Sequence, residues 1–314
     1  MTAECVRIGT RGSDLALWQA AYVERELLRF HKGLRTEIVP IRTTGDVILN
    51  EPLERIGDKG LFTRAIELAL LDRRVDLAVH SLKDLPTEVP AGLVLGAVTA
   101  REDARDVFIP HPRNPESTLL GQRPGARIAT GSLRRRCQLL HLRPDVAVEE
   151  IRGNLATRFR KLEESAWAGM ILARAGVVRL GWEARVGEVL DFSRMLPAVG
   201  QGALAVQVRE GDVRLGEMVR VLHDVHTGAA TAAERALLAG LEGGCQVPVG
   251  ALAVVEEGPG GLRVRLEALL GSLEGDRIVR GTAEGDAGVP EEVGRDLAER
   301  LLAEGGEEIL REVR

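Results

Sequence analysis

Cysteine is scarce in this chain. Three residues, Cys5, Cys137 and Cys245, serve 314 positions, and no two of them form a Cys-x-x-Cys pair. That pattern excludes a secreted disulfide framework and a four-ligand structural zinc site, so the thiols are expected to be reduced and no metal is expected. Aromatic residues make up only 3% of the chain, too few for the stacking platforms that read single-stranded bases. Lysine is also rare: Lys32, Lys59, Lys83 and Lys161 are the only four, which leaves 38 arginines among 42 basic residues. A lysine kept against such a drift suits a place where a flexible point charge serves better than a planar guanidinium. Lys59 and Lys83, in loops, fit that description, while Lys32 and Lys161 follow helical stretches and read as surface.

No apolar run is long enough to span a bilayer, and the opening MTAECV has neither the basic nor the apolar region of a secretory signal. A cytoplasmic protein is expected. The formal net charge of -5 gives no general attraction to nucleic acid or to an anionic membrane, so neither is expected as a partner, and any anion must be bound by local arrangement. What remains is the composition of a globular chain, 45% hydrophobic and 28% charged, long enough for two or three domains.

Up to about residue 174, short β-branched runs alternate with amphipathic stretches. Strands are expected at 6–9, 36–41, 76–80, 93–98, 127–130, 147–151 and 170–173. Helices are expected at 14–30 after Ser13, 61–71, 133–142 after Ser132, and 155–163 after Asn154. This alternation predicts parallel sheets with helical crossovers, an α/β fold. The last third differs. A helix at 229–241 precedes strands at 249–255, 262–269 and 277–283, and a final helix opens at Pro290, which predicts a small α+β domain with a three-stranded sheet. The stretch Pro197 to Gly202 (PAVGQG) reads as a connection back between segments.

Four loops share one position, each after an expected parallel strand: Gly9-Thr10-Arg11-Gly12-Ser13, His80-Ser81-Leu82-Lys83-Asp84, Thr130-Gly131-Ser132-Leu133-Arg134-Arg135 and Ile151-Arg152-Gly153-Asn154. Ligands of open α/β sheets bind just beyond the carboxyl ends of the strands, where helix N-termini and free N–H groups converge. Arg11, Lys83, Arg134, Arg135, Arg152 and, one helical turn later, Arg158 therefore read as an anion site. Leu133, Cys137 and Leu140 have core spacing, so Cys137 reads as buried. Cations in a first helical turn oppose the helix dipole by about 0.3 to 1 kcal/mol each, so Arg134 and Arg135 are either a surface cluster or the partners of an anion. Asp84 either caps a turn or is a lone carboxylate among cations, of no use to an anion and suited to a cationic or N–H group. Cys245, in Glu242-Gly243-Gly244-Cys245-Gln246-Val247-Pro248, is either an inert core thiol or a reactive attachment point. His80, His223 and His226 stand in no cysteine-hydrolase context, and no Walker lysine loop or G-x-G-x-x-G opens a helix, so nucleotide binding has no support.

The segments RIGTRGSDLALWQA, GDKGLFTRAIE, DLAVHSLKDLPTEVP, GSLRRRCQL, IRGNLATRFRKL, LPAVGQGAL and LEGGCQVPVG, in this order and over essentially the whole chain, resemble the hydroxymethylbilane synthases, or porphobilinogen deaminases. The resemblance implies two periplasmic-binding-protein-like domains with a cleft between them, at 1–99 with 200–218 and at 100–199, and a third domain at 219–314. It implies a dipyrromethane cofactor, thioether-linked to Cys245, onto which four porphobilinogen units are added head to tail with loss of ammonia before water releases the product. It implies that Asp84 is catalytic, hydrogen-bonding the pyrrole N–H and stabilising the azafulvenium cation, with Lys83 and Arg11 beside it.

Lys83, Asp84, Ser81, Thr130, Ser132, Arg134, Arg135 and Arg158 would hold the cofactor. Arg11, Ser13, Arg152, Arg158, Gln201, Lys59 and Phe62 would meet substrate, with Lys59 and Phe62 in a covering loop, and a monomer is implied. Two positions depart from the family pattern: Gly131 replaces a serine, and Thr44 stands where many members have a basic residue. A non-catalytic binder of small dicarboxylate anions on the same frame has no reason to keep Asp84 or Cys245, and a cysteine-dependent acyl transferase would need a base beside Cys245.

Overall fold

The computed structural model describes residues 5–43, 63–241, 247–258 and 260–313. Its strands in chain order are β1 (Cys5–Arg11), β2 (Arg35–Ile41), β3 (Leu77–Ser81), β4 (Leu93–Val98), β5 (Asp106–Pro110), β6 (Arg127–Ala129) and β7 (Ala147–Glu149), then β8 (Gly169–Ala173), β9 (Glu188–Leu190), β10 (Leu204–Arg209), β11 (Val249–Gly258), β12 (Gly261–Gly271) and β13 (Ile278–Asp286). The helices are α1 (Asp14–Phe30), α2 (Arg64–Leu71), α3 (Leu133–Leu142), α4 (Leu155–Glu164), α5 (Arg174–Arg179), α6 (Val213–Arg220), α7 (Val225–Gly240), α8 (Pro290–Leu301) and α9 (Glu307–Val313). Two compact units emerge, one of Met1–Glu102 with Ala203–Gly228, the other of Asp103–Gly202 with Ala229–Arg314.

The first unit holds a five-stranded sheet in the order β2-β1-β3-β10-β4, and the second a five-stranded sheet in the order β7-β6-β8-β5-β9. The two orders are the same device. Three strands pair in parallel in the order second, first, third, and an antiparallel strand follows, β10 against β3 in one unit and β5 against β8 in the other. The chain enters the second unit on β5 and returns to the first on β10, so each inserted strand is supplied by a passage between units. These sheets are mixed, which corrects the all-parallel expectation: alternation of strand and helix sees neighbours in sequence, whereas the inserted strands are distant in sequence.

Helix α1 forms as its sequence dictates. Ser13 Oγ accepts from Ala16 N at 3.4 Å, Asp14 stands in the first turn, and Ala16, Ala20, Val23 and Leu27 make the buried stripe. Of that stripe, Ala20, Val23 and Leu27 pack with Val6, Ile8, Leu77 and Val79, while Ala78, between the last two, joins Ile66, Leu70 and Val75 on the opposite face of the sheet. Period-two alternation thus sends His80 to the α2 side with Ala78. In the second unit, Val107 and Ile109 of β5 join one core and Phe108 the other. Each such fully buried side chain contributes roughly 1.5 to 3 kcal/mol, which holds the strand ends, and the loops leaving them, in place.

The meander β11-β12-β13 packs its Ala251, Leu266 and Leu270 on Leu237 of α7 and on Leu297 and Leu301 of α8. Strands β5, β9 and β10 and helices α5 and α6 lie where the sequence pattern had suggested no element. Asp106 and Pro110 bound β5 and Gln207 interrupts β10, so neither run looks apolar. Helix α2 begins at Arg64 rather than at 61, although 61 and 62 lie outside the described residues. Lys161 lies within α4 rather than after it, and its Nζ donates to Arg152 O at 3.1 Å.

Candidate functional site

In the first unit the ends of β1 and β3 and the start of α1 surround a cavity of about 60 Å³ lined by Arg11, Ser13, Gln19, Thr63, His80, Ser81 and Asp84, among others. A short 3-10 turn, Leu82–Asp84, leaves β3 and buries Leu82, which sets Lys83 and Asp84 on a fixed backbone. Among the described residues the Asp84 carboxylate makes no hydrogen bond, so the turn-cap reading fails. It is a half-buried acceptor left open in a cavity that also presents Arg11. Gln19 Nε2 donates to Ser81 Oγ at 2.8 Å and so orients that hydroxyl.

Beneath this cavity lies a polar network that the sequence pattern did not reveal. Thr63 Oγ1 donates to Glu67 Oε2 at 3.4 Å, Gln207 Nε2 donates to Glu67 Oε1 at 3.3 Å, and Gln207 flanks the ring of His80. Burial pushes His80 down to about 4; Gln207 opposes that shift and the charge of Arg11 adds to it. The imidazole is therefore neutral at neutral pH, and its Nε2 is buried without a partner.

In the second unit the loops after β6 and β7 touch. Thr130 Oγ1 accepts from Ser132 N at 3.3 Å, and Ser132 Oγ caps α3 by accepting from Arg135 N at 3.4 Å. A Cβ on Gly131 would lie 2.4 Å from Ile151 O, so the departure from serine goes with a direct approach of the two loops. Gly153 takes φ 114, a left-handed turn that favours glycine, and it brings Asn154 round to cap α4 by accepting from Thr157 N at 2.9 Å. Arg158 Nε donates to Gly153 O at 2.8 Å, and Arg152 Nε to Glu150 Oε1 at 2.7 Å.

Of the two readings of Arg134 and Arg135, a surface cluster or the partners of an anion, the second holds, with an anion from the chain itself. Their guanidinium groups do not stand open at the helix start; they are buried on Asp106, with Arg134 Nη1 at 2.7 Å from Oδ2 and Arg135 Nη2 at 2.9 Å from Oδ1. Their first anion is supplied by the chain itself, from the head of β5. The two arginine charges hold Asp106 far below the usual carboxylate range against a large burial penalty. Gln201 Nε2 joins the same carboxylate at 2.8 Å.

The structure thus brings Arg11, Ser13, Ser81 and Asp84 together on one cavity and sets Lys83 in the adjoining turn, half-buried. It gathers Thr130, Ser132, Arg134, Arg135, Arg152, Arg158 and Gln201 in the second unit. Thr44, Lys59, Phe62 and Cys245 lie outside the described residues. Gln19, His80 and Asp106 are additions. Gln19 had a signal, a polar side chain within the apolar stripe of α1; Asp106 had a weaker one, an acid at the head of Val107-Phe108-Ile109.

Cationic side chains at the ends of parallel strands in each unit, and in the first unit an open carboxylate sharing a cavity with Arg11, are the features of an α/β protein with a polar ligand site. Residues 6–217 match the family model described as porphobilinogen deaminase, dipyromethane cofactor binding domain, and residues 229–303 the one described as porphobilinogen deaminase, C-terminal domain. The chain belongs to the porphobilinogen deaminase family. It is 49% identical to the porphobilinogen deaminase of Desulfitobacterium hafniense over 310 residues, covering 98% of this chain and 97% of that one. With that of Moorella thermoacetica it shares 46% over 310 residues, covering 98% and 96%.

Among solved structures, the Bordetella pertussis BvgS periplasmic VFT2 domain is 14% identical over 69% of this chain and 86% of that one, with a TM-score of 0.42. The probable amino-acid ABC transporter extracellular-binding protein ytmK of Bacillus subtilis is 8% identical over 69% and 89%, with a TM-score of 0.40. Among the described residues no helix is long and apolar enough to cross a membrane, and no group of three or more His, Cys, Asp or Glu side chains is placed to hold a metal ion.

Proposed function

We propose that this chain joins four porphobilinogen molecules head to tail, releasing ammonia at each addition, onto a dipyrromethane primer carried on Cys245, and then releases hydroxymethylbilane by hydrolysis. The observation that carries this reading is the uncapped Asp84 carboxylate beside Arg11 in the cavity at the ends of β1 and β3. A dicarboxylate-binding protein would gain nothing from an acid there.

The donor set fits the cofactor. Dipyrromethane is a polyacid, and the second unit offers half-buried Arg152 on the loop after β7, half-buried Arg158 in the first turn of α4, and two buried guanidinium groups whose Nε atoms have no partner. Guanidinium forks suit carboxylates. When bound, the dipyrromethane supplies the terminal pyrrole carbon to which each incoming unit is joined. The chain's own groups do the rest. Asp84 accepts the pyrrole N–H of the substrate and offsets the positive charge that grows as ammonia departs, a stabilisation strongest in the transition state. Arg11, Ser13, Arg152, Arg158 and Gln201 hold the acetate and propionate groups of porphobilinogen. Lys83, Ser81, Thr130, Ser132, Arg134, Arg135 and Arg158 hold the primer, and Lys59 and Phe62 cover the reacting pyrroles.

Porphobilinogen is handled by the segments 1–99 with 200–218 and 100–199, and the segment 219–314 carries the thioether. The protein works as a monomer in the cytoplasm, where thiols without a pairing pattern stay reduced. Intact-mass measurement tests the reading. Wild-type protein is expected to be heavier by one dipyrromethane, Cys245→Ser to lose the adduct, and Asp84→Ala to keep it while barely turning over. An unmodified wild-type mass, or normal turnover in Asp84→Ala, refutes it.

A further inference from the structure

Asp106, the first residue of β5, is completely buried, and its two oxygens are divided among three donors. Oδ2 accepts from Arg134 Nη1 at 2.7 Å; Oδ1 accepts from Arg135 Nη2 at 2.9 Å and from Gln201 Nε2 at 2.8 Å. Backbone carbonyls fix the same donors from the other side: Arg134 Nη1 reaches Leu196 O at 2.6 Å, Arg135 Nη1 reaches Ile171 O at 3.2 Å, and Gln201 Nε2 reaches Ala104 O at 2.7 Å. Asp106 thus ties the first turn of α3 to the ends of β5 and β8 and to the segment between α5 and β10.

The arrangement is not closed. Two guanidinium groups face one carboxylate, so the cluster keeps one positive charge in excess, and it sits where the α3 N-terminus adds a partial positive charge of its own. Arg134 Nε and Arg135 Nε are buried donors with no partner. A cluster serving stability alone would be neutral and saturated, because surplus charge and unmet donors are costly in an interior. Without Asp106 the two cations would repel at close range; burial and the charge of Arg135 already press Arg134 below the usual arginine range, and Asp106 opposes them.

We propose that Asp106 is a positioning residue for cofactor loading: it holds Arg134 and Arg135 as a charged, oriented pair whose surplus positive charge is matched by a carboxylate of the dipyrromethane. This rests on the function proposed above, and goes beyond it by assigning a role to an acid that touches neither substrate nor primer.

The test follows the appearance of the adduct mass when cofactor-free protein is given porphobilinogen, for wild type, Asp106→Asn and Asp106→Glu, each checked for folding by circular dichroism. Displacing a reacting or binding group by about 1 Å costs on the order of 10²-fold, and losing the charge should cost at least that. Folded Asp106→Asn should load about 10²-fold more slowly than wild type, and Asp106→Glu, which restores the charge on a longer arm, should recover part of that loss. Loading at the wild-type rate per folded molecule in Asp106→Asn, with only the melting temperature lowered, would overturn the proposal. Should Asp106→Asn fail to fold, Asp106→Glu decides: slowed loading supports the role and wild-type loading overturns it. Absence of any adduct in wild type would overturn the proposed function, and this inference with it.

Discussion

The buried His80 makes the first unit sensitive to acid in a defined window. Its ring is 5% exposed and is pushed down to about 4 from an ordinary 6.5, chiefly by burial. The sign follows from linkage. Because the folded value lies below the unfolded one, the unfolded chain takes up a proton between these values that the native protein refuses, so stability falls as pH drops. At about 1.4 kcal/mol per tenfold change in proton affinity, this one group should withdraw about 3 kcal/mol between pH 6.5 and 4. The carboxylates that arginine holds low, Asp76, Asp103 and Asp106, give up their stabilisation only as pH falls toward and below the ordinary carboxylate value, near the bottom of this window and beyond it. The groups facing His80 are Arg11, which gains from a neutral ring, and Gln207, itself bound to Glu67. Urea unfolding of wild type and His80→Gln at half-unit steps from pH 7 to 4 isolates the effect. Wild type should lose about 3 kcal/mol more than the variant across that range; parallel curves would show that His80 is not buried neutral.

How much of this could be read from sequence divides along physical lines. Helices α1 and α3 were expected with the bounds they have, because cap, stripe and stop lie within one stretch: Ser13 and Ser132 cap them, and Ala16, Ala20, Val23 and Leu27 or Cys137 fill the buried face. Strand β4 was equally local, Leu93 to Val98 as expected. The inserted strands β5 and β10 were not legible. Each is defined by partners far away, β10 by residues 77–81 and 93–98 and β5 by residues 169–173 and 188–190, and each carries a buried polar residue, Asp106 at the head of β5 or Gln207 within β10, that shortens its apolar run.

The site followed the same rule. That cations and Asp84 gather at strand ends follows from counting loops, and Arg11, Ser13, Ser81 and Asp84 share a cavity. Which cations are already satisfied does not follow from sequence. Arg134 and Arg135 looked anomalous in a first turn until Asp106, 28 and 29 residues away, supplied the missing charge. An ion pair across that distance leaves no periodic signal.

Further outcomes follow from single residues. Cys137, completely buried with its thiol pushed up to about 12 by burial, should resist alkylation in native protein at pH 8; its labelling before unfolding would refute the burial. Gly131→Ala should destabilise by roughly 1 to 3 kcal/mol, because the new methyl meets Ile151 O at 2.4 Å, and an unchanged melting temperature would show that the two loops part freely. The arginines should separate by stage and by stability. Arg11 is half-buried on the cavity, so Arg11→Leu should keep its fold and its primer and stall on porphobilinogen. Arg134→Leu leaves Asp106 buried with one charge partner fewer, a loss of roughly 3 to 5 kcal/mol, and should accumulate cofactor-free protein that melts early. Denaturant titration and intact mass on the same samples read both effects. An Arg134→Leu protein that is fully primed and as stable as wild type would mean that Asp106 does not depend on that pair; an Arg11→Leu protein lacking primer would move Arg11 from substrate addition to cofactor assembly.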